Sequence, residues 1–487
     1  MSVPPVRHIG PARLTAGLNR LPRLDFATHR NVHGPLPPLS VEDLVVLTTE
    51  IKLTGRGGAG FPFATKLRAV AQQAARRRAE CHVVVNATEG EPGSWKDKML
   101  LSRVPHLILD GALLAAHALG ARSITIGVAE GGAGADYLSR ALAERRMAVP
   151  TKVVVQPERF ISGESGALVN GVNGRAPIPP GRKVLAAESG VDGRPTLLSN
   201  AETFAQLAVA ARLGPAGYAS VGIPQEPGTV LLSVGGSAAF PSVVEVPTGV
   251  RLMDVLRLCG GVIGPGVLVG GYHGAWIGQD AAMRAEVSRA GLKAVGGSLG
   301  AGIVLPLGEG TCPLGEAAQV AQYLAAQSAG QCGPCRTGLP DVADALATLA
   351  NGMAGADAVA AVRRVADAVK GRGACAHPDG TARFVISTLE AFPADVAAHT
   401  QRGGCGNAVR GILPVPRAAA GRKLAVDWAR CDGHGLCASV APELIRLDGN
   451  GFPAFADSAV PEWLESSARR AVRRCPALAL RLAAPAR

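Results

Sequence analysis

The stretch Thr54–Lys66, TGRGGAGFPFATK, decides how the first half of the chain is read. Gly55, Gly57 and Gly60 fit the spacing of a dinucleotide-binding turn, but that turn needs a strand before it and a helix after it. Here the preceding residues, SVEDLVVLTTEI from Ser40, read as a helix capped by Ser40 with Asp43 three positions on. An ordinary Rossmann turn is thereby disfavoured, while the physics of an anion loop remains. Glycines let the backbone approach a phosphate, and a helix N-terminus and the charges of Arg56 and Lys66 favour it. The rival reading of the stretch alone is a plain glycine-rich turn.

Outward from the loop, the apolar runs CHVVVNA, SITIGVAE and TKVVVQP alternate with helical stretches, the pattern of an α/β layer with a mostly parallel sheet. Residues 225–308 change to short strands with one helical piece, RLMDVLRLC, which predicts a β-grasp module. Residues 309–405 are rich in Ala, Leu and Gln and predict a helix bundle. Residues 1–39 read as a Pro-rich lead-in, 40–220 as the nucleotide-binding domain, 406–421 as a linker and 422–487 as a small α+β unit.

With 487 residues, 47% hydrophobic and 18% charged, the chain is ordinary globular material with room for several domains. Its net charge of +12 raises nucleic acid as a partner, but the basic residues are dispersed and not interleaved with aromatics, so no nucleic acid is expected. The densest patch, Ala468–Arg474, reads as a solvated basic face or as a docking face for an acidic redox protein. HLILDGALLAAHALGA carries Asp110 and His117 and is too short to span a bilayer, so it reads as a buried helix. Arg7, Arg13, Arg20 and Arg23 precede any acid, yet the prolines among them argue against an amphipathic targeting helix. The expectation is a soluble, cytoplasmic protein, held at the inner face of a membrane only through partners. Ten cysteines without a signal peptide point to metal or redox work. Cys81, Cys259 and Cys312 stand alone and read as small buried thiols.

Five stretches, GRGGAGFP, NATEGEPGSWKDK, ISGESGALVNG, GRPTLLSNAET and CGPCRTG, occur in one order over about 40–405. Together they resemble the FMN- and NADH-binding subunit of respiratory complex I and the diaphorase subunits of NAD-linked hydrogenases and formate dehydrogenases. The resemblance implies a Rossmann-like FMN domain, a β-grasp module and a four-helix iron–sulfur bundle. It implies FMN on Gly55, Arg56, Gly57, Gly58 and Lys66, lined by Asn86, Thr88 and Glu89, by Gly163 and Glu164, and by Asn200. Thr88 replaces a family aspartate. For the nicotinamide nucleotide, Phe61 and Glu91 match, but Ser165 replaces a glutamate, Leu185 an aromatic and Arg182 a lysine. Lost aromatics weaken adenine stacking, and Arg182 suits a phosphorylated nucleotide, so NADH and NADPH both stay open.

The resemblance also implies a [4Fe–4S] cluster in the bundle, on a C-x-x-C-x-x-C run and a distant cysteine. Ala329 stands at the first position, leaving Cys332, Cys335 and Cys375, and Cys405 is expected to supply the fourth ligand. The alternatives are an incomplete or three-iron cluster, or zinc. At the far end, Cys431, His434 and Cys437 followed by Cys475-Pro476 resemble single-cluster bacterial ferredoxins, including those that serve cytochromes P450. His434 stands where such ferredoxins carry a second cysteine. Three thiolates suit [3Fe–4S], and ligation by His434 would complete [4Fe–4S].

The implied function is hydride transfer from NAD(P)H to FMN, then single electrons through the bundle cluster to the ferredoxin cluster and an external acceptor. No side chain is needed as a catalytic acid or base, and Glu91 and Glu164 position ligands. The rival is an FMN and iron–sulfur module that no longer uses NADH and is fed by a partner. Expected partners are redox proteins, a monooxygenase or membrane reductase among them, and a thioredoxin-like ferredoxin subunit.

Overall fold

The strands His82–Ala87, Ser123–Ala129, Thr151–Gln156 and Thr196–Asn200 pair in parallel in a computed structural model of the chain, which describes residues 3–352, 355, 357–416, 422–455, 460 and 464–483. Val83, Val84 and Val85 are all fully buried, so the central strand is apolar on both faces, as a sheet covered by helices requires. The order is 151–156, 123–129, 82–87, 196–200. The chain steps outward from the strand 82–87 in one direction and then returns to its other side. The sheet therefore reverses its winding between 82–87 and 196–200, and a crevice opens at the C-terminal ends of those two strands. Helices Phe63–Arg77, Pro105–Leu119 and Ala201–Tyr218 pack on this layer. The last two approach so closely that a Cβ on Gly111 would lie 1.8 Å from the Phe204 carbonyl.

A second, six-stranded mixed sheet has the order 6–8, 242–247, 229–234, 303–306, 266–269, 275–278, with the helix Leu252–Leu258 packed in its core. The stretch expected as a lead-in is woven into both layers. Val6–His8 runs parallel to Ser242–Pro247 as the edge strand, and Leu14 and Leu24 are buried in the first core. Buried Glu245 fixes the passage by accepting the backbone N–H groups of Arg13, Leu14 and Thr15 and the Thr229 hydroxyl. Composition marked these residues as Pro-rich, but a three-residue strand whose partner is far along the chain leaves no local signal.

Helices Pro313–Ala326, Leu339–Ala350, Ala358–Val369 and His377–Ala391 form the bundle, followed by Pro393–Arg402. Its core holds Leu314, Val320, Val342, Leu346, Val362 and Phe384. The C-terminal unit pairs Lys423–Val426 with Leu480–Ala483 and carries helices Leu436–Val440 and Glu465–Arg474 around its own small core. The end of the expected linker, 417–421, and residues 456–459, 461–463 and 484–487 lie outside the described residues. Among the described residues no single helix is long and apolar enough to cross a membrane. The helix Pro105–Leu119 is a buried core helix, as its length and its Asp110 predict.

Candidate functional site

The glycine loop lies at the crevice. Gly57 approaches the end of strand 196–200 so closely that a Cβ there would meet Asn200 Cβ at 3.2 Å. Gly58 takes a φ of +115° with open space on its Cβ side, a cradle that a side chain would fill. The helix Phe63–Arg77 starts directly after the loop with Lys66 in its first turn. Lys66 Nζ donates to the Leu198 carbonyl at 3.0 Å, and burial pulls its pKa below the ordinary lysine value, a penalty that a bound anion offsets.

Across the switch point, Asn86 and Asn200 are register partners on the two central strands. Asn86 Nδ2 donates to the Gly163 carbonyl at 2.9 Å, which brings the 160–164 loop to the same place. The Asn200 side chain accepts from Glu202 N–H at 3.0 Å, capping the following helix. Thr88 is buried, with its hydroxyl on Asn86 Oδ1. Glu89 accepts from the Ser94 hydroxyl and from the backbone N–H groups of Asp97 and Lys98, so its carboxylate holds the motif together. Glu164 caps the helix Ser165–Val172 through the Gly166 and Ala167 N–H groups, and burial raises its pKa.

One expected contact is corrected. The Arg56 guanidinium turns into the interior, where Nη1 lies 3.2 Å from Glu226, so the positive charge of that side chain is spent before it reaches the crevice. Glu226 also takes the Arg289 N–H at 2.8 Å, and Arg289 Nη2 donates to the Gly55 carbonyl at 2.9 Å. Arg289, from the second sheet's domain, thus braces the loop from behind. Beneath it, buried Lys96 pairs with Glu202 at 2.7 Å and reaches the Arg56 carbonyl at 3.1 Å. Burial lifts the neighbouring Asp97 carboxyl above its usual range, against the pull of Lys96. Arg289 and Glu226 were missed in the sequence because their partners are distant in the chain, whereas Lys96 and Glu202 stand within the motifs NATEGEPGSWKDK and GRPTLLSNAET without their pairing being readable there.

The nicotinamide candidates are less enclosed. Phe61 is 46% exposed, and Arg182 and Leu185 are exposed. Glu91 accepts the Tyr272 N–H, and burial pushes its pKa up to about 8.

From the crevice the 159–164 segment leads directly to the bundle. Arg159 Nη2 donates to the Ser328 carbonyl at 3.3 Å, and Phe160 N–H donates to Gln327 Oε1 at 3.0 Å. The Phe160 ring meets His273 edge-on at 4.6 Å and lies tilted to His377 at 5.6 Å. Immediately beyond, Cys335 lies against Cys332 and within electrostatic reach of Cys375, and Cys375 is within reach of Cys332 and Glu164. Burial and this crowding push Cys375 up to about 11 and Cys335 up as well, so the thiolates are costly without a bound cation. This donor set fits an iron–sulfur cluster.

Cys405 does not join it. Cys312, at the start of the helix Pro313–Ala326, has Cys405 beside it, whereas Cys332 and Cys335 follow the other end of that helix, about 20 Å away at 1.5 Å per residue. The expected fourth ligand is therefore not supplied by Cys405, and Cys312 is not a solitary buried thiol. Cys81 and Cys259 are buried, as expected. Ala329 is buried in the cysteine loop, and among the described residues no fourth thiol joins the other three.

In the C-terminal unit Cys437 is buried within reach of Cys475 and Cys431, a second three-thiol set. His434 is exposed on the connecting loop between Gly433 and Gly435, both at φ +70°. The unit docks on the bundle's cysteine loop: the Arg446 guanidinium donates to the Arg336 carbonyl, and a Cβ on Gly330 would lie 3.7 Å from the Glu443 carbonyl.

Comparison with known proteins agrees with this layout. Residues 48–209 match the Nuo51 FMN-binding domain, 315–399 the NADH-ubiquinone oxidoreductase-F iron-sulfur binding region, and 424–482 a 4Fe-4S single cluster domain. The F-type subunit of NADH-quinone oxidoreductase from Mycobacterium bovis is 29% identical over 389 residues, covering 76% of this chain and 86% of the relative. The mitochondrial NADH dehydrogenase [ubiquinone] flavoprotein 1 of Dictyostelium discoideum is 29% identical over 364 residues, covering 71% and 76%. Among solved structures, an air-oxidized NAD+-reducing [NiFe]-hydrogenase superposes with a TM-score of 0.72 at 25% identity, over 86% of this chain and 70% of that one. Over most of its length the chain is thus similar to the F-type subunits of NADH-quinone oxidoreductase, with regions that match an FMN-binding domain and an iron-sulfur binding region, and residues 424–482 match a 4Fe-4S single cluster domain.

Proposed function

We propose that this protein takes hydride from NADH at a flavin crevice and passes single electrons through the bundle cysteines to its own ferredoxin domain and on to a redox partner protein. The observation that carries the order of the sites is the loop 327–336. On one side it is hydrogen-bonded to Arg159 and Phe160, next to Gly163 and Glu164, and on the other the Arg336 carbonyl accepts the Arg446 guanidinium and Gly330 passes close to Glu443. When bound, FMN supplies the exchange between a two-electron donor and one-electron carriers.

This chain's residues do the rest. The Gly55–Gly60 turn, the start of the helix Phe63–Arg77 and Lys66 would hold the phosphate, and Asn86, Asn200 and the 163–164 loop would line the ring. Arg289 and the Arg56–Glu226 pair fix the turn, so little reorganisation accompanies binding. Cys332, Cys335 and Cys375 would hold the bundle cluster and Cys431, Cys437 and Cys475 the ferredoxin cluster, with His434 an exposed candidate for the remaining position. The stretch 225–308 is read as β-grasp-like from its mixed sheet with the helix Leu252–Leu258 packed in its core. The relatives' names place them in multi-subunit oxidoreductases, which supports an oligomeric setting with redox partners.

A second reading has its own support. Leu185 is 64% exposed where an aromatic would stack on adenine, and Ser165 is exposed where the family has a carboxylate, which suits a module reduced by a partner instead of by a nucleotide. Anaerobic stopped-flow mixing separates the two. The proposal expects flavin bleaching by NADH, with NADPH as the comparison, followed by cluster reduction. Bleaching by dithionite but by neither nucleotide would overturn it in favour of the second reading.

A further inference from the structure

Three metal-binding side chains converge at the end of the bundle remote from the electron path. Cys312 precedes the helix Pro313–Ala326 and its Sγ accepts the Gly315 N–H at 3.3 Å. Its Sγ lies 3.4 Å from Nε2 of His399, which sits in the last turn of the helix Pro393–Arg402. Cys405 follows that helix, and one ligand atom from each of the three residues lies within 4.8 Å of the others. Cys312 and His399 are almost fully buried, and His399 Nδ1 is buried with no partner among the described residues.

The backbone is arranged to keep Cys405 here. The Cys312 N–H donates to the Ala408 carbonyl at 2.9 Å, and Thr311 bridges to Ala408. The buried Glu316 carboxylate takes the N–H groups of Arg410 and Gly411 at 2.6 and 2.7 Å. The tail that leaves the bundle is thus laid against the start of its first helix.

The geometry points to a zinc ion held by Cys312, His399 and Cys405, with water at the fourth position on the half-exposed Cys405 side. Zinc bonds of about 2.3 Å to sulfur and about 2.0–2.1 Å to nitrogen space tetrahedral ligands roughly 3.4–3.8 Å apart, which the 3.4 Å separation matches. A multi-iron cluster interposes sulfide and further iron and needs thiolates spread wider. Two thiolates and an imidazole suit a borderline-soft, redox-inert ion. The ion joins the first helix of the bundle to the helix Pro393–Arg402 that follows it and anchors the chain before it runs on to the ferredoxin domain.

The test uses the full chain purified without chelator from zinc-replete medium. Elemental analysis is expected to find about one zinc per chain beside the cluster iron. Zinc-edge X-ray absorption should read two sulfur ligands and a remainder of nitrogen and oxygen. His399→Ala and Cys405→Ser should each lower zinc at least tenfold while iron and flavin stay at the wild-type level, which also certifies the fold. Where a variant does not fold, the wild-type absorption spectrum decides. Zinc-free wild-type protein, a sulfur-free or four-sulfur shell, zinc retained in both variants, or a Cys312–Cys405 disulfide in the native protein would each overturn the assignment.

Discussion

Glu91 shows what burial does to a single residue. Its pKa is pushed from 4.5 to about 8 because desolvation outweighs the hydrogen bond from Tyr272. The folded state binds this proton more tightly than the unfolded chain does. The contribution to stability is therefore full below pH 4.5, falls as pH rises through about 8, and is constant above that. Glu91→Gln is expected to flatten the pH dependence of thermal stability between pH 5 and 8, measured as Tm across that range; an unchanged slope refutes the shift. Gly90 is a second sensitive position, since a Cβ there would lie 2.0 Å from the Arg159 carbonyl. Gly90→Ala should destabilise by about 1–3 kcal/mol or more in chemical denaturation, because backbone cannot yield as a side chain does. At this scale the sequence named candidate residues but not where their charges end up. Arg56 reads as a phosphate ligand until its partner Glu226, from another domain, is seen.

Among the elements, the helix Pro313–Ala326 separates two cysteine sites that spacing alone merged. Cysteine counting left one position to fill and one cysteine to fill it, and only the helix's length shows that Cys405 belongs at the other end. Cys375→Ser should therefore strip or convert the bundle cluster, seen as iron lost and an altered electron paramagnetic resonance spectrum, while Cys405→Ser leaves both unchanged. The loop-to-helix junction at Lys66 gives another test. Lys66→Ala removes a charged donor worth about 1.5–3 kcal/mol, so flavin should bind roughly ten- to hundredfold more weakly in fluorescence titration of the flavin-depleted chain. The parallel strands and the capping box at Ser40 were legible because each is a local pattern of alternation or of side chain to N–H spacing. The brace from Arg289 was not, because ion pairs between domains leave no periodicity in a single sequence.

For the whole molecule, the fused ferredoxin domain meets the cysteine loop where Arg446 donates to the Arg336 carbonyl. Arg446→Glu is expected to leave flavin reduction intact and to slow reduction of the ferredoxin cluster, resolved by rapid freeze-quench spectroscopy; equal rates would show that this contact does not set the path. The order of the FMN-binding, iron-sulfur binding and single-cluster regions was legible from the order of the motifs. The seam between them was not, since its partners, Arg446 and the Arg336 carbonyl among them, are far apart in the chain. The edge strand Val6–His8 is the clearest case, and it bears on biogenesis. Val6 faces Val243, so a nascent chain emerging from the ribosome must hold its earliest strand unpaired on the order of tens of seconds while the intervening residues are translated. Until then this strand is exposed to chaperones and proteases, and a bulky insertion beside it would burden folding more than the same insertion beside the ferredoxin domain.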